Sequence, residues 1–111
     1  MSRRSDEMLL TDILEASTRI SRYIDSMNYD EFLKDIKTQD AVVRNIEIIG
    51  EAVKELSEEL KQKHSEIEWR YIARMRDKLI HHYHGVNWEI VWSVVKNDLV
   101  DLKSKIDCII S

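Results

Sequence analysis

Proline is absent from this sequence of 111 residues, and glycine occurs only twice. Because these two residues build most tight turns, the chain has little with which to make a β-rich domain. Charged residues make up 34% of the chain, and a highly charged composition without helix breakers favours helices. We therefore predict an all-α protein that forms a single domain over residues 1–111.

Cysteine and long apolar runs are equally scarce. The single cysteine, Cys108, has no partner for an internal disulfide, which fits a reducing compartment. No run of residues approaches the roughly 18 apolar residues of a membrane span, and the first residues lack the apolar core of a signal peptide. We expect a cytoplasmic protein that makes no contact with a membrane.

An excess of positive charge is also lacking. The net charge is −4, which argues against a protein that binds nucleic acid over its whole surface. One stretch differs, because residues 69–87 contain three histidines and a cluster of cations, namely Arg70, Arg74, Arg76 and Lys78. A basic strip on an acidic protein suits a small anionic target better than a long duplex.

The apolar residues recur at intervals of three and four, which is the pattern of amphipathic helices. The first predicted helix is capped by Ser5 and runs to about Met27, and a short second helix begins at Asn28 with Glu31 and ends near Ile36. The third predicted helix runs from Thr38 to about Lys63, and the fourth starts at a capping box formed by Ser65 and Glu68. The last is capped by Asn87 and runs from Trp88 to about Ile109. This pattern predicts an up-and-down bundle of four long helices plus one short helix. Gly50 costs its helix about 1 kcal/mol relative to Ala, so we expect another helix to pack closely there.

Arg76 lies on the apolar face of its predicted helix, together with Leu79 and Tyr83. A guanidinium cannot lose its charge, and burying it unpaired would cost several kcal/mol, so it must face a carboxylate, a crevice or a bound anion. His81 falls about 140° further round an ideal helix. The two side chains could meet over one ligand only if the helix ends there, as Gly85 indicates, or if a second chain brings its own copy.

Three segments together carry a family resemblance. They are Arg76, His81 and Tyr83 spaced as Arg-x4-His-x-Tyr, the run Arg-Asn-Ile-Glu-Ile-Ile-Gly-Glu-Ala at residues 44–52, and Gly-Val-Asn-Trp at 85–88 followed by Val91 and Trp92. In this order, over nearly the whole chain, the sequence resembles the HepT-like branch of the HEPN superfamily. The resemblance implies a small helical bundle, a symmetric homodimer with its motifs near the dimer cleft, and an RNase toxin of a type VII toxin–antitoxin system.

The resemblance also implies roles and a partner. Arg76 and His81 become the catalytic pair, and Tyr83 becomes the residue to which the antitoxin, a minimal nucleotidyltransferase, attaches AMP. The chemistry is consistent with these roles, because RNA is cut without a metal or other cofactor when its 2′-OH attacks the adjacent phosphate. A histidine transfers the proton, and an arginine stabilises the phosphate. AMP on Tyr83 would place a negative phosphate where the RNA backbone should lie.

Further residues are candidates for supporting roles. Those that could contact the RNA substrate are Arg70, Arg74, Lys78 and His82, and those that could orient Arg76 are Glu47 and Glu51. All of the candidate site residues also have an alternative role in the fold. Arg76 could pair with Glu47 or Glu51, and Tyr83 could belong to the core. The other basic residues could form a solvated face. The histidines could be a solvated helix end.

Two classes of function remain open from the residues. The protein could be a metal-independent endoribonuclease that a partner enzyme neutralises, or a non-catalytic helical module that presents a nucleotide or its own tyrosine to a nucleotidyltransferase. A metal site is not predicted. His81 and His84 are one turn apart, but no nearby cysteine and no inward carboxylate completes a ligand set.

Overall fold

The computed structural model describes residues 4–81 and 85–110, and describes only the backbone of Ile80 and His81. Its helices are α1 (Asp6–Ile24), α2 (Tyr29–Lys34), α3 (Ile36–Glu55), α4 (Glu58–Lys63), α5 (Trp69–His81), α6 (Trp88–Ser93), a π-helical segment (Val94–Asp98) and α7 (Leu99–Ile110). All regular secondary structure within the described residues is helical, which confirms the all-α prediction.

The first two predicted helix starts are confirmed. The side chain of Ser5 accepts a hydrogen bond from the backbone N–H of Met8, and Asn28 and Glu31 form both hydrogen bonds of a capping box. Helix α1 ends three residues earlier than predicted, because Ser26 adopts the left-handed φ of 67° that commonly follows a helix end.

The second and third helices meet at a boundary that the sequence prediction misplaced. Helix α2 ends at Lys34, and α3 begins at Ile36 rather than at Thr38. The carboxylate of Asp35 sets this start, since it accepts a hydrogen bond of 3.0 Å from the backbone N–H of Thr38.

The predicted continuation of the third helix to Lys63 is wrong. Helix α3 ends at Glu55, the buried Leu56 turns away with ψ of 144°, and Ser57 caps the separate helix α4. Asp6 accepts hydrogen bonds of 2.9 and 2.6 Å from the backbone N–H and hydroxyl of Ser57. The start of α1 is therefore tied to the chain just beyond α3, and α4 is a short helix that the sequence prediction did not include.

The capping box predicted at Ser65 and Glu68 is also wrong, because α5 begins only at Trp69. Ile67 is buried, and the indole N–H of Trp69 donates a hydrogen bond of 3.1 Å to the carbonyl of His64. The residues before α5 are thus held in a turn by this short-range hydrogen bond and by the burial of Ile67. From Trp69 onward, α5 packs along α3.

The last helix starts as predicted, with the side chain of Asn87 accepting a hydrogen bond of 3.2 Å from the N–H of Ile90. It continues through Val94–Asp98 as a π-helix, which the sequence prediction did not include. The wider π turn brings both Val94 and Val95 into the core, where each is 2% exposed.

The core is formed mainly by the inner faces of α1, α3 and the last helix. The members of the predicted stripes that are buried include Leu9, Ile13, Ile20, Val42, Ile46, Ile49, Val53, Val91, Val95, Leu99, Leu102 and Ile106. Tyr23 departs from its predicted stripe, since it is 40% exposed. Trp88 and Trp92 pack on the buried Phe32, with ring centroids 5.8 and 5.1 Å apart. Both tryptophans therefore contribute to internal packing.

Candidate functional site

The helices α3 and α5 approach most closely where Gly50 faces Arg76. A β-carbon added at Gly50 would overlap the Cβ and Cγ atoms of Arg76, and would lie 3.2 Å from its Cδ. The arginine stem thus fills the space that a side chain at position 50 would occupy. The predicted close packing at Gly50 is confirmed, and its consequence is to fix the base of the Arg76 side chain.

The guanidinium of Arg76 is paired with two carboxylates. Its Nη2 donates to Glu51 on α3, and its Nη1 donates to Asp77 over 3.0 Å. The Arg76 side chain is 16% exposed, whereas that of Glu51 is 53% exposed. The Arg76 side chain is therefore mostly buried, whereas the Glu51 carboxylate that pairs with it is largely exposed to solvent.

The Nε of Arg76 is different, since it is buried and has no hydrogen-bond partner among the described residues. Leaving a guanidinium N–H unpaired is costly, and such an atom in a native structure calls for an explanation. One donor of Arg76 is thus unsatisfied, although both terminal nitrogens are paired with carboxylates.

Asp77 extends the pairing across the two helices. Its Oδ1 also accepts a hydrogen bond of 2.5 Å from the Nζ of Lys54 on α3. Hydrogen bonds from Lys54 and then from Arg76 hold the pKa of Asp77 below its ordinary value. Glu51, Arg76, Asp77 and Lys54 form a chain of alternating charge, which we call the α3–α5 seam.

The seam contains two residues that the sequence prediction missed, Lys54 and Asp77. Lys54 follows Glu51 by three residues on α3, so the two share a helix face, but nothing local shows which part of α5 lies opposite. Glu47, the other carboxylate predicted near Arg76, instead pairs with Arg44 at 3.8 Å.

The remaining predicted site residues fall into two groups. Arg70, Arg74 and Lys78 are all exposed, and none has an ion pair among the described residues. Arg70 and Arg74 line a groove between α4 and α5, whereas Lys78 lines a smaller cavity of about 250 Å³ beside α6. The second group is His81, of which only the backbone is described, and His82 and Tyr83, which lie outside the described residues.

Comparison with known proteins identifies the family. The family model described as ribonuclease HepT-like matches residues 13–109, which is most of the chain. The chain belongs to the HepT-like ribonuclease family.

Curated relatives agree with this assignment. A protein of Thermococcus cleftensis named as a probable ribonuclease HepT is 47% identical over 105 residues, covering 95% of this chain and 96% of its own. A candidate RNase of Methanocaldococcus jannaschii is 50% identical over 97 residues, covering 87% of this chain and 80% of its own. A candidate RNase of Caldanaerobacter subterraneus is 40% identical, with 87% of each chain covered. No solved structure matches the chain.

The side chains that the structure describes offer no arranged ligand set for a metal. Within residues 4–79 and 85–110, no group of three or more histidine, cysteine, aspartate or glutamate side chains is placed to hold a metal ion. None of the described helices is long and apolar enough to cross a membrane.

Proposed function

We propose that this protein is an endoribonuclease that cleaves RNA without a metal, through attack of a 2′-OH on the adjacent phosphate. Membership of the HepT-like ribonuclease family and the ribonuclease names of its relatives support the proposal. The observation that carries it is Arg76, whose stem packs on Gly50 and whose mostly buried guanidinium pairs with the largely exposed carboxylate of Glu51.

Arg76 would bind the phosphate that is attacked. A phosphate oxygen takes the place of the Glu51 carboxylate, and a guanidinium forms two parallel hydrogen bonds to such an anion. Charge builds on the phosphate oxygens in the transition state, so a cation already fixed by α3 stabilises it without having to be reoriented. Asp77 and Lys54 remain paired behind Arg76 and keep the guanidinium in place.

His81 would move the proton. The 2′-oxygen bonds to phosphorus as a base takes its proton, and the bond from phosphorus to the 5′-oxygen breaks as an acid protonates that oxygen. The products are a 2′,3′-cyclic phosphate and a 5′-hydroxyl. An imidazole titrates near neutral pH and so serves as either acid or base.

We place this chemistry in a symmetric homodimer, which brings two copies of Arg76 and His81 to one cleft. The two proton transfers need an acid and a base at once, and a second subunit supplies the other histidine. The chain itself carries one Arg-x4-His motif. Measurement of the molar mass in solution tests the dimer.

Tyr83 would be the regulatory residue of a toxin–antitoxin pair of type VII. In this step the phenolic oxygen of Tyr83 attacks the α-phosphate of ATP, a bond to AMP forms, and pyrophosphate leaves. The partner enzyme is a minimal nucleotidyltransferase. Attached AMP would add negative charge seven residues after Arg76 in the sequence and so compete with RNA. Mass spectrometry after incubation with that enzyme and ATP should place AMP on Tyr83; a label on another residue would refute this step.

The decisive comparison is wild type against His81→Ala, each purified without its partner and shown to be folded. In buffer containing EDTA, we expect wild type to cleave RNA to 2′,3′-cyclic phosphate ends and the variant to lose at least about 100-fold in rate. Expression of wild type should also slow growth, and the variant should not. Equal behaviour of the two proteins would instead favour the non-catalytic module.

A further inference from the structure

A groove of about 740 Å³ runs between α4 and α5, beside the end of α3. Its floor is apolar and includes Val53 and Ala73, while cations line its sides, namely Lys54, Lys61, Arg70 and Arg74. Two carboxylates, Glu58 and Glu68, also line it. We call this the basic groove, because positive charge exceeds negative charge there although the chain carries −4.

The two arginines are the cations of the basic groove that have no ion pair among the described residues. Lys54 is engaged by Asp77 at 2.5 Å, and Lys61 lies 3.7 Å from Glu58. Arg70 and Arg74, in contrast, are exposed and have no ion pair among the described residues. They are four residues apart on α5, so they stand one above the other at a rise of about 6 Å along the helix.

Both walls of the basic groove are held in place. Helix α4 is anchored at its start by the hydrogen bonds from Ser57 to Asp6. The turn from α4 to α5 is anchored by the hydrogen bond from the Trp69 indole to the His64 carbonyl. A ligand that enters the groove therefore meets cations on a fixed frame and loses little energy in ordering it.

We infer that the basic groove binds the sugar–phosphate backbone of a single-stranded part of the RNA that is to be cut. The inference rests on the proposed function and extends it, since it leads the strand past Arg70 and Arg74 to Lys54, which lines the same groove and is joined to Arg76 through Asp77. Successive arginines one helix turn apart suit successive phosphates of an extended strand. A positively charged groove that follows the backbone is how proteins hold single strands regardless of sequence.

The inference separates residues that the sequence grouped together. Lys78 belongs to the cavity beside α6, so it does not line the basic groove. Lys61, which the sequence prediction did not select, does line it. Strand binding should therefore depend on α4 as well as on α5.

The test uses an unstructured, fluorescent RNA of about 12 nucleotides carrying 2′-O-methyl groups, so that it binds without being cut. Its Kd is measured by anisotropy for wild type, for Arg70→Glu/Arg74→Glu and for the matched control Lys34→Glu/Lys37→Glu. The control lies on exposed residues of α2 and α3 and changes the net charge equally. The milder Arg70→Gln/Arg74→Gln serves if the first variant does not fold.

We expect the groove variant to raise Kd by at least about tenfold. The slope of log Kd against log salt concentration should fall by about 1.4, which is the value for the loss of two phosphate contacts to a single strand. The control should change Kd by less than about threefold. Equal losses in the two variants, or a groove variant that binds RNA like wild type, would overturn the inference. The inference would also be overturned if the groove variant no longer bound a labelled hexaglutamate peptide that wild type binds but still bound RNA as wild type does. The ligand of the groove would then be an acidic protein segment.

Failure of this inference is distinguishable from failure of the proposed function. If wild type binds the RNA through the groove but cleaves no natural RNA, the groove stands and the nuclease does not. If wild type cleaves RNA, the groove variant should lose at least ten times more kcat/KM on a long RNA than on a dinucleotide. A similar loss on both substrates would contradict a role in holding the strand.

Discussion

The two long sides of α5 differ in how they meet the rest of the fold. Toward α3, the helix is in direct contact at Gly50 and is tied by the charges of the α3–α5 seam. Toward α7, it is separated by an open groove of about 660 Å³. The hydrogen bonds described across that second groove are one of 2.8 Å from the Tyr71 hydroxyl to Asp98 and a long one from Lys105 to the Glu66 carbonyl.

The two sides also differ in charge. The α7 side is lined by four carboxylates, namely Glu66, Glu68, Asp98 and Asp101, with Lys105 as the cation among its lining residues. On the α3 side, Arg76 and Lys54 are balanced by Glu51 and Asp77, and the excess of positive charge comes from the basic groove that continues this side. A polyanion is attracted to one side of α5 and repelled from the other. The tightly packed side is the α3 side, where Arg76 must be held in position for the proposed reaction.

Gly50→Ala should disrupt the packing of α5 against α3 and have the largest effect on stability and cleavage among the variants that alter the two sides of α5. The new β-carbon overlaps Cβ and Cγ of Arg76, which cannot swing away as the end of a side chain could, so α5 must shift. Overpacking of this kind costs about 1–3 kcal/mol, against about 1 kcal/mol that Ala gains over Gly in a helix. We expect a lower melting temperature and a loss of about 100-fold in RNA cleavage, since Arg76 is displaced.

Arg44→Ala is the matched control on the same helix, because the Arg44 side chain is 72% exposed and its pairing with Glu47 is long. Melting by circular dichroism and a cleavage assay of both variants check the comparison. If Gly50→Ala melts and cleaves like Arg44→Ala, the close approach of α3 and α5 is not what holds Arg76.

Asp77→Asn should have an intermediate effect and should alter the response to acid. The folded pKa of Asp77 lies below its ordinary value of 3.8, so its contribution to stability is complete above that pH and is lost as the pH falls through the folded pKa. The pKa values of Asp6 and Asp35 also lie below the ordinary value, because Ser57 donates hydrogen bonds to Asp6 and Thr38 donates to Asp35. The fall in melting temperature from about pH 6 to about pH 3 should shrink in Asp77→Asn without vanishing.

The same variant should cleave RNA several-fold more slowly, because Arg76 loses the hydrogen bond that orients its Nη1. Asp107→Asn removes an exposed carboxylate of α7 and serves as its control. An acid response identical in wild type, Asp77→Asn and Asp107→Asn would mean that the seam contributes nothing to stability.

How far the sequence predicts this molecule depends on the range of the interactions. The caps at Ser5, Asn28 and Asn87 were predicted correctly because a cap is made by residues three apart. The break after Glu55 was missed because the apolar period continues through Leu56 to Leu60, and only the tie to Asp6 reveals the cap at Ser57. The false cap at Ser65 is a different case, because the hydrogen bond from the Trp69 indole to the His64 carbonyl spans only five residues. What the local pattern does not show there is that Ile67 is buried in the core.

The candidate site follows the same rule. Periodicity alone placed Arg76 on the inner face of its helix, and the glycine alone predicted a close neighbour at position 50. The choice of Glu51 over Glu47, and the pair formed by Lys54 and Asp77, depend on how far α5 is shifted along α3. No local pattern encodes that shift.

Tyr71→Phe should have the smallest effect, because it removes only the hydroxyl that bridges α5 to Asp98 on the open side. Burial and the hydrogen bond to Asp98 raise the pKa of Tyr71, the hydrogen bond being the larger cause. The ring is 42% exposed, so we expect a loss of only about 0.5 kcal/mol in the free energy of unfolding by urea. A loss as large as that in Gly50→Ala would show that both sides of α5 are equally important.

The most direct measurement is the single-turnover rate of RNA cleavage in EDTA by Arg76→Gln, compared with wild type at equal folded fraction. Glutamine keeps a polar side chain over Gly50 but removes the charge that would hold the phosphate. The account predicts a loss of at least about 100-fold, the size seen when a main electrostatic donor is removed from an active site. A rate within about threefold of wild type would contradict the claim that the arginine fixed by α3 is the residue on which the ribonuclease depends.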